Sequence, residues 1–187
     1  MINSGYLLPK VMKNIPPTNK LEIRIRKANI SDLPDIVAIY NQAVPSHRST
    51  ANTIPWTVES RTPWFIEHQP DKRPIFVAEV DKQIVGWCSL SVYRPGRLAL
   101  RFTAEISYYI DENFQRQGVG HALIRHAVEA CPALKIKNLI AVVIDRNEPS
   151  RKLLEKLGFE QWAYLPRVLD FDGQEFGEYY YGIRAVD

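Results

Sequence analysis

The apolar run Leu139–Ile144 restricts the fold of this 187-residue chain more than any other feature. A strand without polar residues is typical of a sheet that is covered on both faces. A helical pattern with one apolar face, Val119–Ala130, precedes it. Another helical pattern follows, with Asn147 as a good N-cap and Gly158 as a left-handed C-terminal residue. We therefore predict a sheet with helices on its faces.

The rest of the chain adds strands on either side of this unit. The predicted order is β-α-(α)-β-β-β-α-β-α-β-β, a mixed α/β (α+β) arrangement. The proline-rich segment from Val44 to Arg73, with a short helical candidate at 58–68, is predicted to be loop-rich, and such regions often line a site. The other predicted elements are a strand around 23–25, a helix around 33–40, a hairpin of 75–80 and 84–93, a long strand Leu98–Ile110, and two strands, 162–165 and 178–184.

Composition indicates one soluble domain, because 45% of the residues are hydrophobic and 24% are charged. The net charge of +3 is too small for a nucleic-acid groove or a polybasic membrane anchor. No apolar stretch approaches the ~18 residues of a membrane span, so we expect a cytoplasmic protein. Cys88 and Cys131 are expected to be small buried hydrophobes in a reducing compartment. Residues 1–20 are expected to be an extension that precedes a domain of residues 21–187.

The segment Gln115–His121, with the sequence QRQGVGH, lies between the predicted long strand and the helix that starts at Val119. Two glycines, Gly118 and Gly120, let the main chain approach a ligand, and the free N–H groups of a helix start suit a pyrophosphate. A dinucleotide fingerprint would need glycine where Leu123 stands, and the Gly-Lys-Ser/Thr of a Walker A loop is absent. The alternative is a plain tight turn.

From Ile23 to Arg184 the chain resembles the GCN5-related N-acetyltransferase (GNAT) superfamily, whose acetyl-CoA loop has the form Gln/Arg-x-x-Gly-x-Gly/Ala. Other motifs resemble its phosphinothricin or methionine sulfoximine acetyltransferase branch: Ile39-Tyr40-Asn41, Pro55-Trp56-Thr57 with Arg61 and Trp64-Phe65, Arg101-Phe102-Thr103-Ala104-Glu105, and Asp145-Arg146-Asn147 with Ser150 and Leu157-Gly158-Phe159.

The resemblance implies a mostly antiparallel central sheet of about seven strands flanked by helices, a homodimer, and acetyl transfer from acetyl-CoA to a small amino-acid-like amine. No metal is expected, since the four histidines share no ligand spacing. The cofactor-binding residues that it implies are Tyr108, Tyr109, Ile110, Gln115, Arg116, Gln117, Gly118, Val119, Gly120, His121, Asn147 and Ser150. For Asn147 the alternative is a helix N-cap and nothing more.

Glu105 is the candidate general base. An alkyl ammonium has a pKa of ~10.4, so at neutral pH a base must take a proton before or during attack on a thioester. Glu105 lies within an apolar-rich predicted strand, and desolvation in such a setting would raise the pKa of the carboxyl toward neutrality. The alternative is a carboxylate that faces solvent on an edge strand.

Arg101 and Thr103 share a strand face with Glu105 if the long strand extends over all three. An arginine fork there would hold a substrate carboxylate by two hydrogen bonds. The alternative is a surface arginine paired with an acidic residue. Tyr40, Trp56 and Trp64 are the predicted walls of the acceptor pocket, and the alternative for each is ordinary core packing.

Two departures from the family pattern bear on function. Leu100 stands where the branch usually has an aromatic residue, and Leu154 stands where many members have a tyrosine or histidine acid. Two other functions therefore stay open. One is acetylation of a protein or peptide N-terminus, which needs an open groove. The other is a CoA-binding sensor without catalysis, and the presence of the candidate base Glu105 argues against it.

Overall fold

The computed structural model describes residues 21–186, so the predicted extension 1–20 lies outside the described residues. One sheet carries four α-helices on its two faces. The strands are β1 Arg24–Lys27, β2 Ile75–Val80, β3 Gln83–Val92, β4 Thr103–Ile110, β5 Asn138–Ile144, β6 Glu160–Phe171 and β7 Gln174–Arg184. The helices are α1 Leu33–Ala43, α2 Val58–Glu67, α3 Val119–Ala130 and α4 Glu148–Lys156.

The seven strands follow the order β1-β2-β3-β4-β5-β7-β6. Every neighbouring pair is antiparallel except β4 and β5, which are parallel. The predicted mixed, mostly antiparallel sheet of about seven strands is confirmed. β5 is central and mostly buried, as its apolar sequence predicted.

Two apolar clusters cover the two faces of the sheet. On one face α1 packs on Val77 and Trp87, with part of α2 against the same cluster. On the other face α3 and α4 pack on β3, β4 and β5, and this cluster includes both free cysteines, Cys88 and Cys131. Both cysteines are buried, as expected. No helix within residues 21–186 is long and apolar enough to cross a membrane.

The predicted strand Leu98–Ile110 is wrong at its beginning. Residues Leu98–Leu100 form a 3-10 turn, and β4 starts only at Thr103. Leu98 is 80% exposed, so its apolar character does not mark a core position. β4 begins where it meets both neighbours, because Ala104 pairs with β3 and Thr103 with β5.

The last two strands are longer than predicted. The Asp172-Gly173 turn joins them as expected, with positive φ values at both residues. β6, however, runs over Glu160–Phe171 at the edge of the sheet and is exposed along most of its length. A solvated edge strand needs no apolar alternation, so its sequence carries little strand signal.

Candidate active site

A central cleft opens where β4 and β5 part. The two strands pair only through Thr103–Glu105 and Asn138–Ile140. Beyond these residues lies a cleft of about 1170 Å³, walled by Ile106–Ile110 of β4, Ala141–Ile144 of β5 and the first turns of α3 and α4. Because the strands have separated there, main-chain groups along their facing edges are free to bind a ligand.

The start of α3 lies at this central cleft. Gly118 precedes the helix with φ of +90°, a left-handed conformation that glycine adopts without steric cost. The N–H of Ala122 donates to the carbonyl of Gly118 at 2.9 Å, as the first bond of the helix. The N–H groups of Val119, Gly120 and His121 therefore have no partner within α3 and suit a bound anion.

The two glycines of this loop have different surroundings. A Cβ atom built on Gly118 would meet nothing within 4 Å, so the space beside Gly118 is open. A Cβ atom on Gly120 would lie 3.1 Å from Cδ2 of Leu153 and 3.7 Å from Cγ1 of Ile110. Gly118 thus leaves room for a ligand, whereas Gly120 leaves room for α4 to pack against α3.

The loop before α3 runs along the wall of the central cleft. Gln115, Arg116 and Gln117, which are predicted to bind the cofactor, all line it. Arg116 adopts a positive φ of 59°, and the side-chain amide of Gln117 donates to the carbonyl of Asn113 at 2.7 Å. The side chain of Gln117 therefore holds the loop rather than reaching into the cleft.

Four basic residues that line the central cleft were missed by sequence reasoning: Arg48, Arg125, Lys152 and Lys156. They come from the loop after α1 and from the surfaces of α3 and α4. Such residues usually form a solvated face, so no local signal distinguishes them. They add positive charge to the wall of the central cleft, although Lys152 pairs with Glu148 at 2.6 Å and Arg125 with Glu129 at 3.7 Å, and basic residues in a cleft favour an anionic ligand.

Asn147 and Ser150 lie at the start of α4, as predicted. Oδ1 of Asn147 accepts a hydrogen bond from the N–H of Ser150 at 3.3 Å, so the N-cap role is confirmed. Nδ2 of Asn147 also donates to Oγ of Ser49 at 3.2 Å, which ties α4 to the loop after α1. Asn147 therefore joins two walls of the central cleft.

Tyr108 and Tyr109 point to opposite faces of the sheet. The hydroxyl of Tyr108 lies 2.5 Å from Oγ of Ser150, and burial raises the pKa of Tyr108. The hydroxyl of Tyr109 donates to the carbonyl of Ser49 at 3.2 Å. Tyr108, Tyr109 and Ile110 all line the cleft, and both phenols are engaged in hydrogen bonds.

Glu105 lies on β4 directly before the strands part. Glu105 is half-buried on the sheet face that α1 and α2 cover. In the sheet it pairs with Ser91 of β3 on one side and with Ile140 of β5 on the other. Burial, and secondarily the negative charge of Glu178, raises the pKa of Glu105. The edge-strand alternative is excluded, because β4 has a neighbour on each side.

An aromatic cluster occupies the same sheet face as Glu105. The rings in contact come from α1, the segment between α1 and α2, α2, β3 and β4. In that order they are Tyr40, Trp56, Trp64, Trp87 and Tyr109. Tyr40 and Trp56 stack with ring centroids 3.3 Å apart, and Tyr40 meets Tyr109 edge-on at 4.8 Å. The predicted wall residues Tyr40, Trp56 and Trp64 are therefore brought together on the sheet face that carries Glu105, and Tyr40 is fully buried.

The predicted row of Arg101, Thr103 and Glu105 on one strand face is wrong for Arg101. Arg101 ends the 3-10 turn before β4; its Nη1 donates to the carbonyl of Leu98 at 3.0 Å, and its guanidinium lies over Phe102. Thr103 does lie on β4 but is buried, and its hydroxyl accepts from Asn138 at 3.4 Å. Arg101 was predicted to bind a carboxylate because it would share a strand face with Glu105, and it does not lie on that strand.

Comparison with known proteins gives the same family as the motifs. Residues 36–159 match the acetyltransferase (GNAT) family model. The chain is 40% identical over 153 residues to YwnH of Bacillus subtilis (strain 168), which is named as a phosphinothricin acetyltransferase; the match covers 81% of this chain and 93% of that protein. It is 32% identical over 156 residues to the L-methionine sulfoximine/L-methionine sulfone acetyltransferase of Pseudomonas aeruginosa, and the match covers 83% of this chain and 88% of that protein.

Solved structures show the same similarity. A GNAT superfamily phosphinothricin acetyltransferase from Sinorhizobium meliloti, in complex with acetyl-CoA, superposes with a TM-score of 0.82 at 26% identity. The superposition covers 87% of this chain and 88% of that chain. The similarity therefore extends over nearly all of the described residues.

Proposed function

This chain belongs to the acetyltransferase (GNAT) family and is an N-acetyltransferase, and we propose that it transfers the acetyl group of acetyl-CoA to the primary amine of a small amino-acid-like acceptor. One observation carries the proposal. Half-buried Glu105 is the last residue of β4 that pairs with β5 before the central cleft opens, and it lies on the same sheet face as the aromatic cluster. A base between a donor cleft and an acceptor surface is what direct transfer requires.

The central cleft fits acetyl-CoA, which supplies an acetyl thioester. The N–H groups of Val119, Gly120 and His121, with the open space beside Gly118, would hold its pyrophosphate. The unpaired edge of β4 from Tyr108 to Ile110 would hold the pantetheine arm and supply N–H donors to the oxyanion that forms during attack. Asn147 and Ser150 complete that wall.

Glu105 accepts the proton that the acceptor amine must lose. An ordinary carboxylate is a poor base for an ammonium with a pKa of ~10.4. Burial raises the pKa of Glu105 and so reduces this mismatch, while the carboxylate keeps its place beside the cleft. The neutral amine then attacks the thioester directly. Leu154, fully buried in the core, offers no acid to the departing thiolate.

The segment between α1 and α2 favours a small acceptor over a peptide. Asn41 accepts from the main-chain N–H of Trp56 at 2.8 Å and donates to its carbonyl at 2.9 Å. These two bonds hold Trp56 against Tyr40, so this part of the segment lies over the aromatic cluster. An aromatic surface that is fixed in this way suits a molecule of amino-acid size.

A turnover screen tests the proposed function. The purified protein is incubated with acetyl-CoA and a panel of amino acids, polyamines and peptides, and thiol release is measured. We expect the highest kcat/KM with amino acids such as L-methionine sulfone or phosphinothricin. Selective turnover of peptides, or acetyl-CoA binding without turnover of any acceptor, would contradict the proposal. The homodimer and the cytoplasmic location stay predictions.

A further inference from the structure

Arg61 of α2 lies on the aromatic cluster. Its Cζ atom is 3.5 Å from the ring centroid of Trp56, while Tyr40 stacks on the same ring at 3.3 Å with an interplanar angle of 10°. Two groups this close to one ring must occupy its opposite faces. Trp56 is therefore held between Tyr40 and Arg61, and Asn41 fixes its main chain.

The guanidinium of Arg61 has no hydrogen-bond or ion-pair partner among residues 21–186, beyond its contact with the Trp56 ring. By contrast, Arg26 binds both Asp32 and Glu79 at 2.6 to 2.9 Å. Arg61 is half-buried, and burial lowers its pKa, but an arginine stays protonated at neutral pH. A partly desolvated cation without a counter-ion is costly, and a bound anion would remove that cost.

Trp56 supplies a second donor without an acceptor. Its indole Nε1–H is buried and makes no hydrogen bond to any residue that the structure describes. The phenols of the same cluster are already used, since Tyr40 pairs with Thr50 at 2.6 Å and Tyr109 donates to Ser49. Arg61 and Trp56, which lie against each other, thus both carry donors without an acceptor among residues 21–186.

Arg61 and Trp56 lie on the sheet face that also carries Glu105. The ring of Tyr109, in the aromatic cluster, meets Tyr40, and Tyr109 lies four residues beyond Glu105 on the same face of β4. An α-amino acid carries its carboxylate and its amine on one carbon atom. A site for it therefore needs a cation and a base on one surface, and this sheet face provides both.

We infer that Arg61, together with the indole N–H of Trp56, binds the carboxylate of the acceptor and directs the adjacent amine toward Glu105 and the acetyl group. This inference rests on the proposed function and makes its acceptor class specific. Arg61 takes the role that sequence reasoning gave to Arg101. Its planar fork matches a carboxylate by two parallel hydrogen bonds, which a lysine does not reproduce.

The test uses L-methionine sulfone and the amine that lacks its carboxylate, 3-(methylsulfonyl)propan-1-amine. We expect Arg61→Gln to raise the KM for the amino acid about 10- to 150-fold, the loss of a charge-assisted contact, and to leave the KM for the amine and for acetyl-CoA unchanged. Arg61→Lys should raise the KM for the amino acid by less. Arg94→Gln is the matched control, because it removes an arginine that also lies over an aromatic ring, that of Tyr93, and it should leave the KM for the amino acid unchanged.

The outcomes separate this inference from the proposed function. If the wild-type protein acetylates no amino acid, the proposed function fails. If it acetylates amino acids but Arg61→Gln leaves their KM unchanged, or raises the KM for the amine equally, only the inference fails. A rise with Arg101→Gln alone would return the role to Arg101. Thermal unfolding establishes that each variant is folded, and Arg61→Lys serves if Arg61→Gln is not.

Discussion

Gly120 in the first turn of α3 packs against Leu153 of α4 so closely that a Cβ atom on Gly120 would lie 3.1 Å from Cδ2 of Leu153. A Cβ atom on Gly118, two residues earlier, would meet nothing within 4 Å. One sequence motif thus contains a glycine that packs against a neighbouring helix and a glycine with open space beside it. Substitutions at the two positions should therefore have different consequences.

Gly120→Val should lower the free energy of unfolding by about 1 to 3 kcal/mol, the usual cost of overfilling a packed site. The added methyl groups would force Leu153 or Ile110 to move. Urea unfolding measures the effect. Adding Leu153→Ala to Gly120→Val creates space and should recover part of the loss. A fully stable Gly120→Val protein would show that the two helices are not held at this distance.

Gly118→Ala should weaken acetyl-CoA binding, because its methyl group would project into the space where we place the pyrophosphate. The positive φ also makes any side chain costly there, by about 1 to 2 kcal/mol. Gly173 is the matched control, with φ of +88° and equally open surroundings in the β6–β7 turn. Calorimetric titration should show weaker binding only for Gly118→Ala; equal affinities would mean that the loop is a simple turn.

Glu105→Gln should lower kcat by roughly 10² to 10⁴, the range for loss of one general base, with acetyl-CoA affinity retained. The amide keeps the size and polarity of the side chain but does not accept the proton. Activity of the variant should recover partly at high pH, where more of the amine is already neutral. Parent-like kcat at pH 7 would assign the base to another group.

The same substitution should stabilise the protein at alkaline pH. Since burial raises the pKa of Glu105, the folded protein binds this proton more tightly than the unfolded chain. The resulting stability is present below the ordinary pKa of 4.5 and is lost as pH rises through the raised value. Glu105→Gln avoids this loss. Its melting temperature should exceed that of the wild type at pH 8, and the difference should shrink toward pH 4.

Glu178→Gln should move the acidic limb of the kcat/KM profile to lower pH. The charge of Glu178 adds to burial in raising the pKa of Glu105, so its removal lowers that pKa. The limb should still lie above the ordinary value of 4.5, because burial remains. Glu160→Gln, at an exposed position of β6, should leave the profile in place. An unmoved limb in Glu178→Gln would mean that the two carboxyls do not interact.

Patterns local to the chain made much of this fold predictable. The apolar run of β5, the N-cap Asn147 and the left-handed Gly158 depend on neighbours a few residues away, and all three were identified. The start of β4 was not, because apolar residues such as Leu98 suggested a strand while the position of β4 depends on pairing with two distant strands.

The sequence by itself determined the order of the elements, the glycine loop and Glu105 as the candidate base, since each rests on residue types at short spacing. Only the tertiary structure decided which distant side chains meet: the basic residues around the central cleft, and Arg61 against Trp56. A polar side chain on a helix looks the same in sequence whether it faces solvent or a site. Its neighbours come from elements many residues away, and their approach is set by packing of the whole sheet against its helices.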